Sequence, residues 1–161
     1  EELIKQLGDE SFKVAIIRPP MVYGKGCKGK YPRLTRLAVK TPIFPDVDNK
    51  RSMIYIDNLS EFVRLLIDNN SSGLFLPQNS EYVNTSEMVK LIAGVHGKKI
   101  IMTKIFNPIL KRLDVSIVNK VFGDLVYGKE LQNDTGTSIY KYFIYETVSF
   151  KESIIQTESE G

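Results

Sequence analysis

Val14, Ala15, Ile16 and Ile17 form an uninterrupted apolar run that Arg18, Pro19 and Pro20 close. The run is too short for a helix and is stopped by proline, so it predicts a strand buried on both faces of a parallel sheet. Parallel strands require crossovers, and the rest of the chain supplies helical periods between further short apolar runs. Tyr31 to Lys40 carries Pro32 in its first turn and sets Leu34, Leu37 and Ala38 on one side, until Pro42 ends it. Met53 to Ile56 is expected to be extended. A helix follows, with Asn58 and Glu61 at capping-box spacing and Leu59, Phe62, Val63, Leu66 and Ile67 on its apolar stripe.

After a turn from Asn69 to Gly73, Leu74 to Leu76 predicts another strand. Asn84 to Val95 predicts a capped helix that buries Met88, Leu91, Ile92 and Val95 and stops at Gly97. Ile100 to Ile105 is expected to be extended, and Pro108 to Phe122 helical with a break near Asp114 to Ser116. Ser149 and Glu152 form a second capping box, opening a last helix through Ile154 and Ile155, and Glu158 to Gly161 is expected to fray. Glu1 to Leu7, with Gly8 behind it, has the pattern of a helix end without a start, so further chain is expected before Glu1. No repeat or linker divides the sequence, and residues 1–161 are expected to form one α/β unit.

With 42% hydrophobic and 25% charged residues among 161, the chain can bury one real core. No apolar run approaches the roughly 18 residues of a membrane span, and no signal-peptide pattern opens the chain, so no membrane partner and a cytoplasmic location are expected. Cys27 and His96, each the only residue of its kind, leave no internal disulfide and no thiolate or imidazole cluster for a metal.

The net charge of +3 conceals an uneven distribution. Between Ser11 and Pro45 stand eight cations and no acid: Lys13, Arg18, Lys25, Lys28, Lys30, Arg33, Arg36 and Lys40. Such a stretch attracts anions, and Gly24, Gly26 and Gly29 would allow close backbone approach to one. A phosphate-bearing ligand is one reading; a solvated basic face is the other.

Two motifs carry a resemblance. Arg18-Pro19-Pro20-Met21-Val22-Tyr23-Gly24, followed by Gly26 and Lys28-Gly29, is similar to the strand-to-loop segment after the catalytic helix of extended short-chain dehydrogenases/reductases. Asn49-Lys50-Arg51-Ser52-Met53-Ile54-Tyr55-Ile56-Asp57-Asn58-Leu59 resembles that family's Arg-x-x-x-x-Val-Asp-Asp-Leu signature. Gly73 to Leu76 and Ser86 to Val89 extend the similarity. Beyond Lys98 it weakens, although Phe122-Gly123-Asp124-Leu125 and Phe150 to Thr157 resemble the UDP-glucose 4-epimerase-like branch.

The resemblance implies an α/β fold: the C-terminal part of a Rossmann-type enzyme with its small substrate-binding subdomain, lacking the N-terminal cofactor-binding half. It implies a UDP-sugar as ligand, NAD in the intact parent, and a parent that interconverts C4 epimers of a UDP-hexose through a 4-keto intermediate. It leaves room for a homodimeric parent and for 4,6-dehydration or 4-keto reduction instead. No cofactor is expected to bind this chain alone, and the missing half is its expected partner. The family's Tyr-x-x-x-Lys pair is absent, since no tyrosine here has a lysine four positions on. The glycines of Gly24 to Gly29 are set aside as a dinucleotide fingerprint on two grounds: spacing, and the want of a helix opening at the last of them. No catalytic residue is therefore expected within this chain.

By the same resemblance Arg51 faces the substrate diphosphate; the alternative is a surface arginine paired with Asp46 or Asp48. Lys28 and Lys30 border the nucleotide or are simply solvated. Pro19 and Pro20 approach the nicotinamide, and Met21 the sugar, at a position where several branches carry Asn. Phe44 flanks the uracil ring or packs in the core. Cys27 beside Lys28 is either a thiol of lowered pKa or an incidental one. His96 is expected to be only a helix-end residue. A non-catalytic anion- or nucleic-acid-binding module is the competing class, although no nucleic-acid motif is present and no nucleic acid is expected as a partner.

Overall fold

Each strand is three residues long, and each strand pair is parallel, so helices must carry the chain between partners. The computed structural model describes residues 8, 12–105, 107–108, 123–127 and 144–159. In order these give β1 (Ala15–Ile17), β2 (Met21–Tyr23), α1 (Tyr31–Lys40), β3 (Ile43–Pro45), β4 (Met53–Tyr55), α2 (Ile56–Asp68), β5 (Gly73–Phe75), α3 (Thr85–Val95), β6 (Ile101–Thr103) and α4 (Phe150–Ser159). β1 pairs with β5 from Ala15↔Gly73 to Ile17↔Phe75, β2 with β4 from Met21↔Met53 to Tyr23↔Tyr55, and β3 with β6 from Ile43↔Ile101 to Pro45↔Thr103. The helices expected over Glu1 to Leu7 and Pro108 to Phe122 lie outside the described residues, apart from Pro108 itself.

β1 is less buried than its composition predicts. Ala15 is exposed and Ile16 and Ile17 are half-buried, because among the described residues β5 is its sole strand neighbour. The core lies instead around β2 and β4. Tyr23 is fully buried, with the rings of Tyr31, Tyr55 and Phe150 centred 5.6, 5.7 and 6.5 Å from its own. Its hydroxyl pairs with Ser153 Oγ at 2.7 Å and accepts from Asn79 Nδ2 at 3.2 Å. A smaller cluster joins Phe62, Leu66 and Phe75, with Ile17 and Tyr145 against it.

Four helix boundaries follow local chemistry. α1 starts at Tyr31 with Pro32 in its first turn. Asn84 caps α3 by accepting from Glu87 N at 3.1 Å, and Gly97, at φ 65°, closes it. There Lys98 N reaches Ala93 O at 2.8 Å and Gly97 N reaches Gly94 O at 3.0 Å, which is the Schellman pattern. At the start of α4, Glu152 N donates to Ser149 Oγ and Ser149 N to Glu152 Oε2, completing the expected box.

Two expectations about helix ends fail. Asn58 does not cap α2: the helix begins two residues earlier at Ile56, straight out of β4, and has no side-chain cap. Asn58 is instead fully buried and joins separate segments. Its Oδ1 accepts from Thr147 N and Val148 N at 3.0 and 3.1 Å, while Nδ2 donates to Val148 O and Asn79 Oδ1 at 2.9 and 3.2 Å. Glu61, the supposed second half of that box, holds Arg64 on the solvent face. The second failure is Glu158, which was expected to fray but stays within α4, 9% exposed and bonded to other helices.

Replacing Asn58 by Ala removes a fully buried amide that serves two backbone donors, the Val148 carbonyl and Asn79, and about 2–4 kcal/mol of stability should be lost. A urea titration measures this; a midpoint within error of the parent's would remove Asn58 as the clamp. Burial also pushes the Tyr23 phenol up to about 12 from its ordinary 10.0. The raised value means that the neutral phenol's contribution is complete below pH 10 and lost as pH rises through about 12. Across that interval Tyr23→Phe should show a shallower loss of stability than the parent; identical alkaline slopes would contradict the assignment.

Candidate functional site

β2 and β4 run side by side and parallel, so the loop after β2 meets the start of α2 at one end of the pair, while the residues before β4 lie at the other end, next to Met21. Gly24, at φ 140°, turns the chain out of β2, and a Cβ there would stand 2.4 Å from Ile56 Cγ2. Only glycine fits between this loop and the start of α2. The loop ends at Lys30, the N-cap residue of α1. Gly24, Gly26 and Gly29 do stand at G-x-G-x-x-G spacing, and α1 does open two residues past the last of them, so both grounds for setting them aside fail. The group still does not fit a cofactor pyrophosphate. The backbone at Gly24 is packed against Ile56 and Tyr55, and Pro32 removes an N–H from the helix start that would receive a phosphate.

The residues before β4 are fixed by α3. Asn49 is buried; its Nδ2 donates to Thr85 Oγ1 and its Oδ1 accepts from Thr85 N, both at 2.9 Å. Asn84 Nδ2 holds Val47 O at 2.8 Å, and Ser86 Oγ donates to Pro45 O at 2.9 Å. The backbone of Arg51 pairs with Val83 in both directions, at 3.0 and 2.9 Å, while Leu125 bonds its neighbours Lys50 and Ser52. Thus the first turn of a capped helix sets the place of Arg51. Asn49 and Thr85 were not singled out from sequence, because nothing local marks two residues 36 apart as partners.

Arg51 is 5% exposed, which excludes the surface-arginine reading. Nη1 donates to Gly123 O at 2.6 Å. Burial lowers the guanidinium pKa, and the nearby Asp124 carboxylate opposes that shift. The side chain also lines a cavity of about 240 Å³. β2 contributes Met21 to its wall, α1 and its N-cap Lys30, Arg33, Leu34 and Leu37, β4 Met53, and the α3 region Val83, Thr85 and Met88. Three cations, Lys30, Arg33 and Arg51, therefore border a largely apolar hollow.

Of the residues proposed from sequence, Arg51, Lys30 and Met21 are brought together here. Lys28 is exposed and lies off the cavity wall, as do the half-buried Pro19 and Pro20 between β1 and β2. Phe44 is 3% exposed and turned into the core. The thiol of Cys27 is shifted upward by burial and by the charge of Asp57, against the lowered-pKa alternative. Arg33, Leu34 and Leu37 were not predicted as site residues, although their spacing along one helix face is visible in the sequence. His96 is more than a helix end, since its Nε2 lies 2.7 Å from Glu158 Oε2.

No protein-family model matches the chain. Over 98 residues it is 36% identical to the UDP-glucose 4-epimerase of Vibrio cholerae, covering 58% of this chain and 30% of that enzyme. Among solved structures it is similar to dTDP-4-dehydrorhamnose reductase from Bacillus anthracis in complex with NADP, with a TM-score of 0.66 and 16% identity, covering 99% of this chain and 52% of that one. Against UDP-N-acetylglucosamine 4-epimerase from Bacillus cereus the TM-score is 0.60 at 12% identity, with 99% and 49% covered. The chain has the α/β fold of part of these proteins and spans 30% of the Vibrio enzyme and about half of the two solved structures.

The two attachments of Arg51 can be tested apart from any ligand. Arg51→Met should cost about 1–3 kcal/mol and speed amide exchange at residues 124–127. Hydrogen exchange followed by mass spectrometry reads this, and unchanged protection of that segment would show that the guanidinium does not hold it.

Proposed function

We propose, for a chain related to the UDP-sugar epimerases and their short-chain dehydrogenase/reductase kin, that it is the substrate-gripping part of a UDP-sugar 4-epimerase. The observation that carries this reading is the convergence of Lys30, Arg33 and Arg51 on one cavity whose remaining wall is mostly apolar. Planar guanidinium groups suit phosphate oxygens, and an apolar hollow suits the faces of a base. At about 240 Å³ the cavity is smaller than the roughly 300–1,000 Å³ of most complete small-molecule sites, so it takes part of the ligand and leaves the rest to neighbouring protein.

In this reading the α3-anchored Arg51 and the α1 cations bind and orient the diphosphate, while Met21, Met53 and Met88 exclude water from one side of it. The parent would interconvert C4 epimers of a UDP-hexose through a 4-keto intermediate, with NAD as the hydride carrier. In this reading the cofactor is held by the rest of the parent, and no proton-transfer group is assigned to the described residues. The 4-epimerase reading is preferred to 4,6-dehydration or 4-keto reduction because the sequence relative, at 36% identity, is a 4-epimerase.

Calorimetry on the 161-residue chain tests the ligand class. UDP should bind more tightly than uridine, and Arg33→Ala should weaken UDP about tenfold, equivalent to about 1.4 kcal/mol, while leaving uridine unchanged. Absence of UDP binding, or tighter binding of an oligonucleotide with a steep salt dependence, would overturn the reading in favour of a nucleic-acid module.

A further inference from the structure

The side of α1 turned away from the cavity ends on a buried carboxylate. Glu158 reaches it from α4, 127 residues along the chain from Tyr31. Its Oε1 accepts from Tyr31 Oη at 2.6 Å and from Thr35 Oγ1 at 3.0 Å, and its Oε2 lies 2.7 Å from His96 Nε2, just past α3. Tyr31 and Thr35 are one helical turn apart, so a single carboxylate holds the first turn of α1. That turn has no side-chain cap of its own. Lys30 and Arg33, on the same turn, line the cavity.

We infer that Glu158 is a positioning residue: by gripping Tyr31 and Thr35 it fixes the start of α1, and with it Lys30 and Arg33, over the cavity that contains Arg51. The inference rests on the reading of that cavity as a diphosphate site and adds the device that sets its geometry. The carboxylate is only 5% exposed at its side chain, and its acceptors are engaged by donors from two other parts of the fold. Removing it leaves the buried Tyr31 hydroxyl without its partner and frees Thr35 and His96, which favours release of the turn over local repair. A purely electrostatic role predicts the opposite sign, because deleting a negative charge from the protein strengthens anion binding.

The test is Glu158→Leu in the 161-residue chain, which removes the acceptors at similar size, with UDP and uridine binding by calorimetry and amide exchange across α1 and α2. UDP binding should weaken about tenfold with uridine unchanged, as expected when charged contacts and not apolar ones are displaced. Exchange should accelerate in residues 31–40 and stay the same in α2. Unchanged or tighter UDP binding, or an α1 that keeps its protection, overturns the inference. If the unaltered chain binds no UDP, the diphosphate reading fails by itself, and the exchange result alone decides whether Glu158 anchors α1. Should Glu158→Leu fail to fold, Tyr31→Phe removes one donor while keeping the ring; it should weaken UDP about threefold, and no change would count against the inference.

Discussion

A parallel pair of strands cannot be closed by a tight turn, and most of this structure follows from that constraint. The chain that leaves β2 must travel over the sheet before it can return as β4, and α1 is what it builds on the way. Because β2 and β4 point the same way, the exit of one lies against the exit of the other: Gly24 against Ile56, Tyr23 beside Tyr55. The cavity lies next to this crossover and not at a turn between adjacent strands. Its cations accordingly come from segments distant in sequence, Lys30 and Arg33 from the crossover helix and Arg51 from the approach to β4.

Helices were legible where their ends are decided locally. Asn84 and Glu87, or Ser149 and Glu152, lie three residues apart, and their bonds form whatever the rest of the fold does. Asn58 has the same spacing to Glu61, yet β4 runs directly into α2, which places Asn58 inside the helix and gives its amide to residues 79, 147 and 148. Local pattern names a capable side chain; only tertiary context decides which donors reach it. Glu158 makes the same point at the other end of the chain, since a terminal acid is expected in solvent unless a distant tyrosine, threonine and histidine are known to surround it.

The candidate site was legible to a comparable degree. Arg51, Lys30 and Met21 stood out through motif and charge, and they share a wall. Phe44 was equally plausible on sequence, but its burial belongs to the packing against α3 and β6, which single-chain pattern does not disclose. The G-x-G-x-x-G spacing illustrates the reverse problem. The pattern is present in letters and even precedes a helix, while its first glycine is used to pass a neighbouring side chain and Pro32 blunts the helix start.

The guanidinium of Arg51 belongs to two structures at once, the cavity wall and the carbonyl of Gly123. Any anion that draws Arg51 toward itself therefore changes the free energy of the loop which Arg51 tethers. Thermodynamic reciprocity then requires that the ordering of that loop change the anion's affinity by the same factor. If the proposed reading of the hollow holds, its occupancy would thus be readable some distance along the chain, at Asp124 and Leu125.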